Sequence, residues 1–161
     1  MRKFTLSAGV DEEVFGSFCE AMDEFESEGN KPIELELCSG GGDAYIALAF
    51  AARIRRSMCP VHITVYGSCQ SAAVLILASG TKRYMTKESW VMVHQDHGEI
   101  SENVTLIEVE TKHLRAMEDQ WAKLLAGLTT TSAKKWAKLH KETTYLTPEQ
   151  CVKLGLVDGV I

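Results

Sequence analysis

Ile33-Glu34-Leu35-Glu36-Leu37-Cys38-Ser39-Gly40-Gly41-Gly42-Asp43-Ala44 is the stretch that decides the fold. Ile33 to Leu37 alternates apolar and acidic residues, which predicts a half-buried strand. The glycines break it, Asp43 is placed to cap a helix, and Ala44 to Met58 runs apolar nearly all round until Arg53, Arg55 and Arg56. Late cations suit the negative end of a helix, and Pro60 stops it. The unit then recurs. Val61 to Tyr66 predicts a second strand, Gly67 breaks it, and Ser71 to Ser79 predicts a second buried helix closed by Gly80. Strand, glycine turn and buried helix, twice in succession, predict an α/β layered fold.

Outward from this centre, Lys3 to Ser7 predicts a short strand. Asp11 can cap a helix whose buried face carries Val14, Phe15, Phe18, Met22 and Phe25 and which ends at Gly29-Asn30. Arg83 to Met85 and Trp90 to Val93 read as short strands. A long helix spans Val104 to Leu128, with a capping box from Thr105 and Glu108. Ile107, Leu114, Trp121 and Leu128, with Met117 and Leu124 between them, form one apolar stripe along it. Ser132 to Lys141 is a further helix, and Thr147-Pro148-Glu149-Gln150 is a strong helix start. No linker or repeat divides the chain, so residues 1–161 read as a single domain.

Composition narrows the function. The 161 residues are 45% hydrophobic and 24% charged, as in globular chains, and the net charge is −5. No broad basic field exists for a phosphate backbone, which argues against nucleic acid. The longest apolar runs, Ala44 to Ala52 and Ala72 to Ala78, fall short of the ~20 residues of a membrane span, and no signal peptide is visible. The five cysteines include no CxxC pair, so reduced thiols in a cytoplasmic protein are expected rather than a disulfide framework or a zinc site.

Three stretches could carry chemistry. Ser39-Gly40-Gly41-Gly42 can turn backbone N–H groups toward a phosphate or an oxyanion, or be a plain tight turn. It lacks the Lys-Ser/Thr of a P-loop and the spacing of a dinucleotide fingerprint, so no cofactor is expected. In Gly67-Ser68-Cys69-Gln70-Ser71-Ala72-Ala73, Ser71 is placed as a nucleophile at the first turn of a buried helix, or as an ordinary cap. Cys69 reads more readily as packing than as a nucleophile. His94 follows the apolar strand Val91-Met92-Val93 and starts a loop, a good place for a rigid general base. His97 lies at a loose metal-like spacing from it, but no third ligand is evident. His97, His62, His113 and His140 are expected to be structural.

The order of these stretches resembles the proteolytic subunit of the Clp protease, the ClpP family of serine peptidases, from about Phe4 to the end. Leu37 to Gly42 resembles the family's Asn-Ser-Pro-Gly-Gly turn. Gly67 to Ala73 resembles Gly-Gln-Ala-Ala-Ser-Met-Gly, and Met92-Val93-His94-Gln95 resembles Met-Ile-His-Gln-Pro. Leu146 to Gln150 and Gly155-Leu156-Val157-Asp158 resemble its closing helix. The resemblance implies a ClpP/crotonase-like layered fold with a protruding handle helix. It implies peptide-bond hydrolysis with Ser71 as nucleophile, His94 as base, and the N–H groups of Gly41 and Ala72 as oxyanion hole. It also implies small or unfolded polypeptide substrates and a homo-oligomer, a ring or stacked rings.

The chain departs from the family in four places. Thr143 stands where the third triad member, an Asp, is expected; Glu142 beside it, the Thr143 hydroxyl, a backbone carbonyl or Asp96 could orient His94 instead. The proline after His-Gln is Asp96, and the glycine-rich segment is Gly98-Glu99-Ile100-Ser101. Phe4 already matches the first strand, so the axial loop that meets the ATPase ring is missing, which argues against a Clp ATPase partner. The competing readings are a crotonase-fold acyl-CoA enzyme and a catalytically inactive structural subunit.

Overall fold

A computed structural model describes residues 2–95 and 104–161. The strand predicted from Ile33 is β2 (Ile33–Ser39), between β1 (Lys3–Leu6) and β3 (Val61–Gln70) in a parallel sheet that continues through β4 (Lys82–Met85) to β7 (Gly159–Val160). β5 (Trp90–Val93) pairs in parallel with the far end of β3 and antiparallel with β6 (Thr144–Leu146). Six helices accompany the strands: α1 (Glu12–Ser27), α2 (Ala44–Arg55), α3 (Ala73–Ala78), α4 (Val104–Leu128), α5 (Ala133–Lys141) and α6 (Pro148–Lys153).

Alternation in β2 works as its sequence predicts. Ile33, Leu35, Leu37 and Ser39 are buried, while Glu34 and Cys38 are exposed. The outer sheet face is held by cross-strand polar pairs: Lys3 Nζ lies 3.2 Å from Glu36, and His62 Nδ1 lies 3.1 Å from Glu34. The inner face packs against α1, α2 and α3. Phe18 and Phe50 are fully buried with ring centroids 4.8 Å apart, and Phe4 meets Phe18 edge-on at 5.3 Å. All six residues of α3 are buried, so the helix that follows Ser71 is a rigid post at the centre of the core.

Caps fix the element starts. Asp11 accepts from Val14 N, Asp43 from Tyr45 N and Ile46 N, and Ser132 from Lys135 N. Thr147 and Gln150 form the expected capping box. Glu26 and Ser57 tie α1 to the chain after α2 through Arg53: Arg53 Nη1 and Nη2 each donate to Glu26 at 2.9 Å, and Ser57 Oγ to Glu26 at 2.6 Å. Hydrogen bonding from Arg53 holds the Glu26 carboxyl below the usual glutamate range.

Local expectations are corrected at several points. α2 ends at Arg55 rather than Met58, because Ser57 N turns back to Ile54 O and Cys59, before Pro60, is pushed out of helical conformation. Gly67 does not end β3. With φ +79 it bends the strand, which leaves β4 after Val65 and joins β5 from Ser68. Ser71 is neither in the helix nor its cap: φ is +53, α3 begins at Ala73, and Ala72 caps it with no side-chain bond. Thr105 lies inside α4, so it is not the cap of that helix. β6 is an additional strand. The first half of α4 is largely exposed, and only Met117, Ala122 and Leu125 are buried, so the stripe becomes core only near its C-terminal end.

Phe18→Ala is expected to lower unfolding free energy by ~3–5 kcal/mol, since it empties a fully enclosed site. Val152→Ala, at an exposed position of α6, should cost far less; denaturant titration of both variants compares them.

Candidate active site

The bend in β3 assembles the site. Gln70 pairs with Met92 of β5, and Ser71 N donates to Met92 O at 2.8 Å. The chain then turns sharply through Ser71 into α3. A serine at φ +53 is held in the sparsely populated left-handed region, at a cost of ~1–3 kcal/mol that surrounding contacts must offset. His94 follows β5 directly, and its Nε2 lies 2.9 Å from Ser71 Oγ. A hydroxyl and an imidazole at this distance have the geometry that a nucleophile and its general base require.

The glycine turn closes on the elbow. Gly41 has φ +93, and a Cβ there would meet Gln70 O and Ser71 Cβ at 2.7 Å and Ala72 N at 3.0 Å. Only glycine lets the turn approach so closely. Val10 N donates to Gly41 O at 2.9 Å and Asp43 N to Val10 O at 2.8 Å, which fixes the turn against the chain before α1. Gly41 N donates a long bond, 3.2 Å, to Ser39 Oγ, whose own hydrogen goes to Ala8 O at 2.7 Å. No hydrogen bond among the described residues takes up the Ala72 N–H.

The register of β5 and β6 pairs Val93 with Thr144, so His94 and Thr143 both adjoin the same end of this ladder. Thr143 has φ +48, unusual for a β-branched residue. Among the described residues, Ser71 and Thr143 alone combine a side chain with positive φ. Glu142 is drawn elsewhere: it caps α5 and lies 3.6 Å from Lys138 Nζ on an exposed surface. Asp96, His97 and the Gly98 to Ser101 segment lie outside the described residues.

Beside Ser71 and His94 opens a cavity of about 290 Å³ between α4 and α5. Ala44 and Ala72 form part of its wall, and Glu118, Trp121, His140 and Lys141 line it from the two helices. Sequence analysis placed Trp121 in the apolar stripe and His140 among the structural histidines, and did not single out Glu118 or Lys141. Their signal was the polar set Arg115, Glu118 and Asp119 at helical spacing beside the apolar stripe. His62 bonds Glu34, His113 Nε2 lies 2.6 Å from Tyr45 Oη, and His140 Nδ1 bonds Trp136 O. Cys69 is fully buried and burial pushes its thiol well up; burial raises Cys151 to about 12. Neither can supply a thiolate near neutrality.

Among the described residues, no three or more His, Cys, Asp or Glu side chains come together to hold a metal ion, and no described helix is long and apolar enough to cross a membrane.

A family model described as Clp protease matches residues 1–161. ATP-dependent Clp protease proteolytic subunit 2 of Treponema denticola is 31% identical over 162 residues, covering 99% of this chain and 81% of that protein. The chloroplastic ATP-dependent Clp protease proteolytic subunit 4 of Arabidopsis thaliana is 29% identical over 133 residues, covering 81% of this chain but 46% of that protein. In fold, an asparagine-to-aspartate mutant of ClpP1 from Listeria monocytogenes superposes with a TM-score of 0.91 at 22% identity, covering 99% of this chain and 91% of that one.

Two outcomes follow from the geometry. Glu142→Gln should leave peptide cleavage within about twofold of the parent, because its carboxylate pairs with Lys138; a fall of the ~10⁴ seen on losing an orienting carboxylate would place it in the triad. With a thiol reagent at mildly alkaline pH, exposed Cys38 should react in the native protein, and Cys69 and Cys151 only after unfolding, as read by peptide mapping.

Proposed function

The chain belongs to the Clp protease family of serine peptidases, and on that premise we propose that it hydrolyses peptide bonds of small or unfolded polypeptides through Ser71 and His94. The observation that carries this is the 2.9 Å contact between His94 Nε2 and Ser71 Oγ on a strained elbow.

His94 Nε2 removes the Ser71 proton as Oγ attacks the scissile carbonyl carbon. The carbonyl oxygen becomes an oxyanion facing the N–H groups of Gly41 and Ala72. Ala72 N–H is at a helix start, where backbone donors lack intrahelical partners. Gly41 N–H exchanges its long bond to the Ser39 hydroxyl for a stronger one to the charged oxygen. The imidazolium then gives its proton to the leaving amine, and the tetrahedral adduct collapses to an acyl-serine. Water, deprotonated by His94, attacks the ester, and the acid product leaves as Ser71 regains its proton. Proton and electron counts balance without a metal or redox partner.

The family match over the whole chain favours this reading over a crotonase-type acyl-CoA enzyme. The paired Ser71 and His94 favour it over an inactive subunit. Assembly with further copies of the chain, as a ring or stacked rings, is supported by the apolar side chains exposed on the first half of α4: Val104 at 73%, Val109 at 57%, and Leu106 and Ile107 beside them. Five unpaired cysteines suit a reducing cytoplasm.

Ser71→Ala and His94→Ala should each lower kcat for a fluorogenic peptide on the order of 10⁴-fold or more, and the double variant should lose little beyond either alone. Additive losses, or full activity in Ser71→Ala, would contradict a nucleophile and base acting as one unit.

A further inference from the structure

Resting on that reading, we propose that Tyr45 and His113 are positioning residues for the peptidase: their contact straps α4 to the start of α2 and holds the substrate cleft in its binding-competent shape. Tyr45 Oη lies 2.6 Å from His113 Nε2, and the two rings stack with centroids 6.2 Å apart and planes 11° from parallel. With the neutral imidazole protonated on Nδ1, the Tyr45 hydroxyl donates to Nε2. Core packing does not account for Tyr45, which is 57% exposed. Neither ring lines the cavity beside Ser71, yet each adjoins residues that do: Ala44 precedes Tyr45, and Arg115 follows His113 by two positions.

The two ends of the strap differ in rigidity. Tyr45 is the second residue of α2, and Asp43 Oδ1 accepts from Tyr45 N at 2.7 Å and from Ile46 N at 3.0 Å. Its place is therefore fixed by the glycine turn that leads into the helix. His113 lies one turn before Met117, the first buried residue of α4. The stretch of α4 that walls the cavity, from Arg115 to Trp121, thus begins where the helix leaves the core. A helix whose first half is exposed has few packing contacts to fix it, and such segments open at low free-energy cost. The Tyr45–His113 bond acts just there, between the fixed and the free part. Without it, more chains hold α4 splayed from α2. Apparent peptide affinity then falls with the fraction of chains in the competent shape. One neutral hydrogen bond typically shifts such an equilibrium about three- to tenfold. Ser71 and His94 sit on the sheet and are untouched by this motion, so the strap bears on binding and leaves the chemical step alone.

A double-mutant cycle on the full chain tests the strap, read with a fluorogenic leucine tripeptide and with its acid product. Tyr45→Phe keeps the ring and removes the hydroxyl, and His113→Leu removes the acceptor. Each should raise KM about three- to tenfold and weaken calorimetric binding of the acid product by the same factor. In each, kcat and the rate of fluorophosphonate labelling at Ser71 should stay within about twofold of the parent. The double variant should lose no more than either single one, and His113→Gln, which restores an acceptor, should recover most of the affinity. Unchanged KM and product binding in both single variants, losses that multiply in the double variant, or a fall in kcat and labelling with KM unmoved would each overturn the assignment. Product binding that weakens as described in a chain that cleaves nothing would uphold the strap and count instead against Ser71 as nucleophile.

Discussion

Gly41 and the Ser71 elbow touch across a gap that no side chain on Gly41 could share. A Cβ there would lie 2.7 Å from both Gln70 O and Ser71 Cβ. This close approach is the constraint on which the site depends. It requires β3 to leave β4 at the Gly67 bend and run on beside β5, because only then do Ser71 and His94 emerge from neighbouring strands. It also requires α3 to stay fixed, and complete burial of that helix provides this. The strain at Ser71 is therefore held by the core itself: a local rearrangement of the elbow would have to disturb the central packing layer.

The same logic separates the rigid from the adaptable parts. Ser71, Ala72 and Gly41 sit on the sheet and its buried helix. Glu118, Trp121, His140 and Lys141 come from α4 and α5, which pack on each other at the margin of the core. A hydrolase needs its reacting atoms held tightly, while side-chain selection can be altered on helices without disturbing them. Departures from the family pattern fit this division. The stretches of Ser71, His94 and the glycine turn resemble the family's by position, whereas Thr143, in a left-handed conformation at the end of the β5–β6 ladder, stands where the family's aspartate is expected.

Much of this was legible in the sequence because the signals were local. Alternation in Ile33 to Leu37, the caps Asp11, Asp43 and Thr147, and the spacing of Phe18 and Met22 each encode their element directly. The order of the Ser39, Ser71 and His94 stretches carried the family resemblance, and the fold brings Ser71 and His94 together. What escaped was set by long-range pairing. Gly67 looks like a strand terminator in isolation; it is a bend because β4 and β5 compete for the same strand. Ser71 looks like a helix cap, and its left-handed backbone follows from contact with Gly41, thirty residues earlier in the chain. β6 is three residues long and takes its identity from β5. The pocket residues belong to two helices whose mutual placement no local pattern specifies.

The central claim is that Ser71 is an activated nucleophile and that His94 activates it. Reaction with a fluorophosphonate, followed by mass mapping of the adduct, tests this most directly, because the reagent needs no matching side-chain pocket. The account predicts one adduct, on Ser71, absent in Ser71→Ala and formed far more slowly in His94→Ala. A folded chain that takes no label, or takes it at another residue, would contradict it.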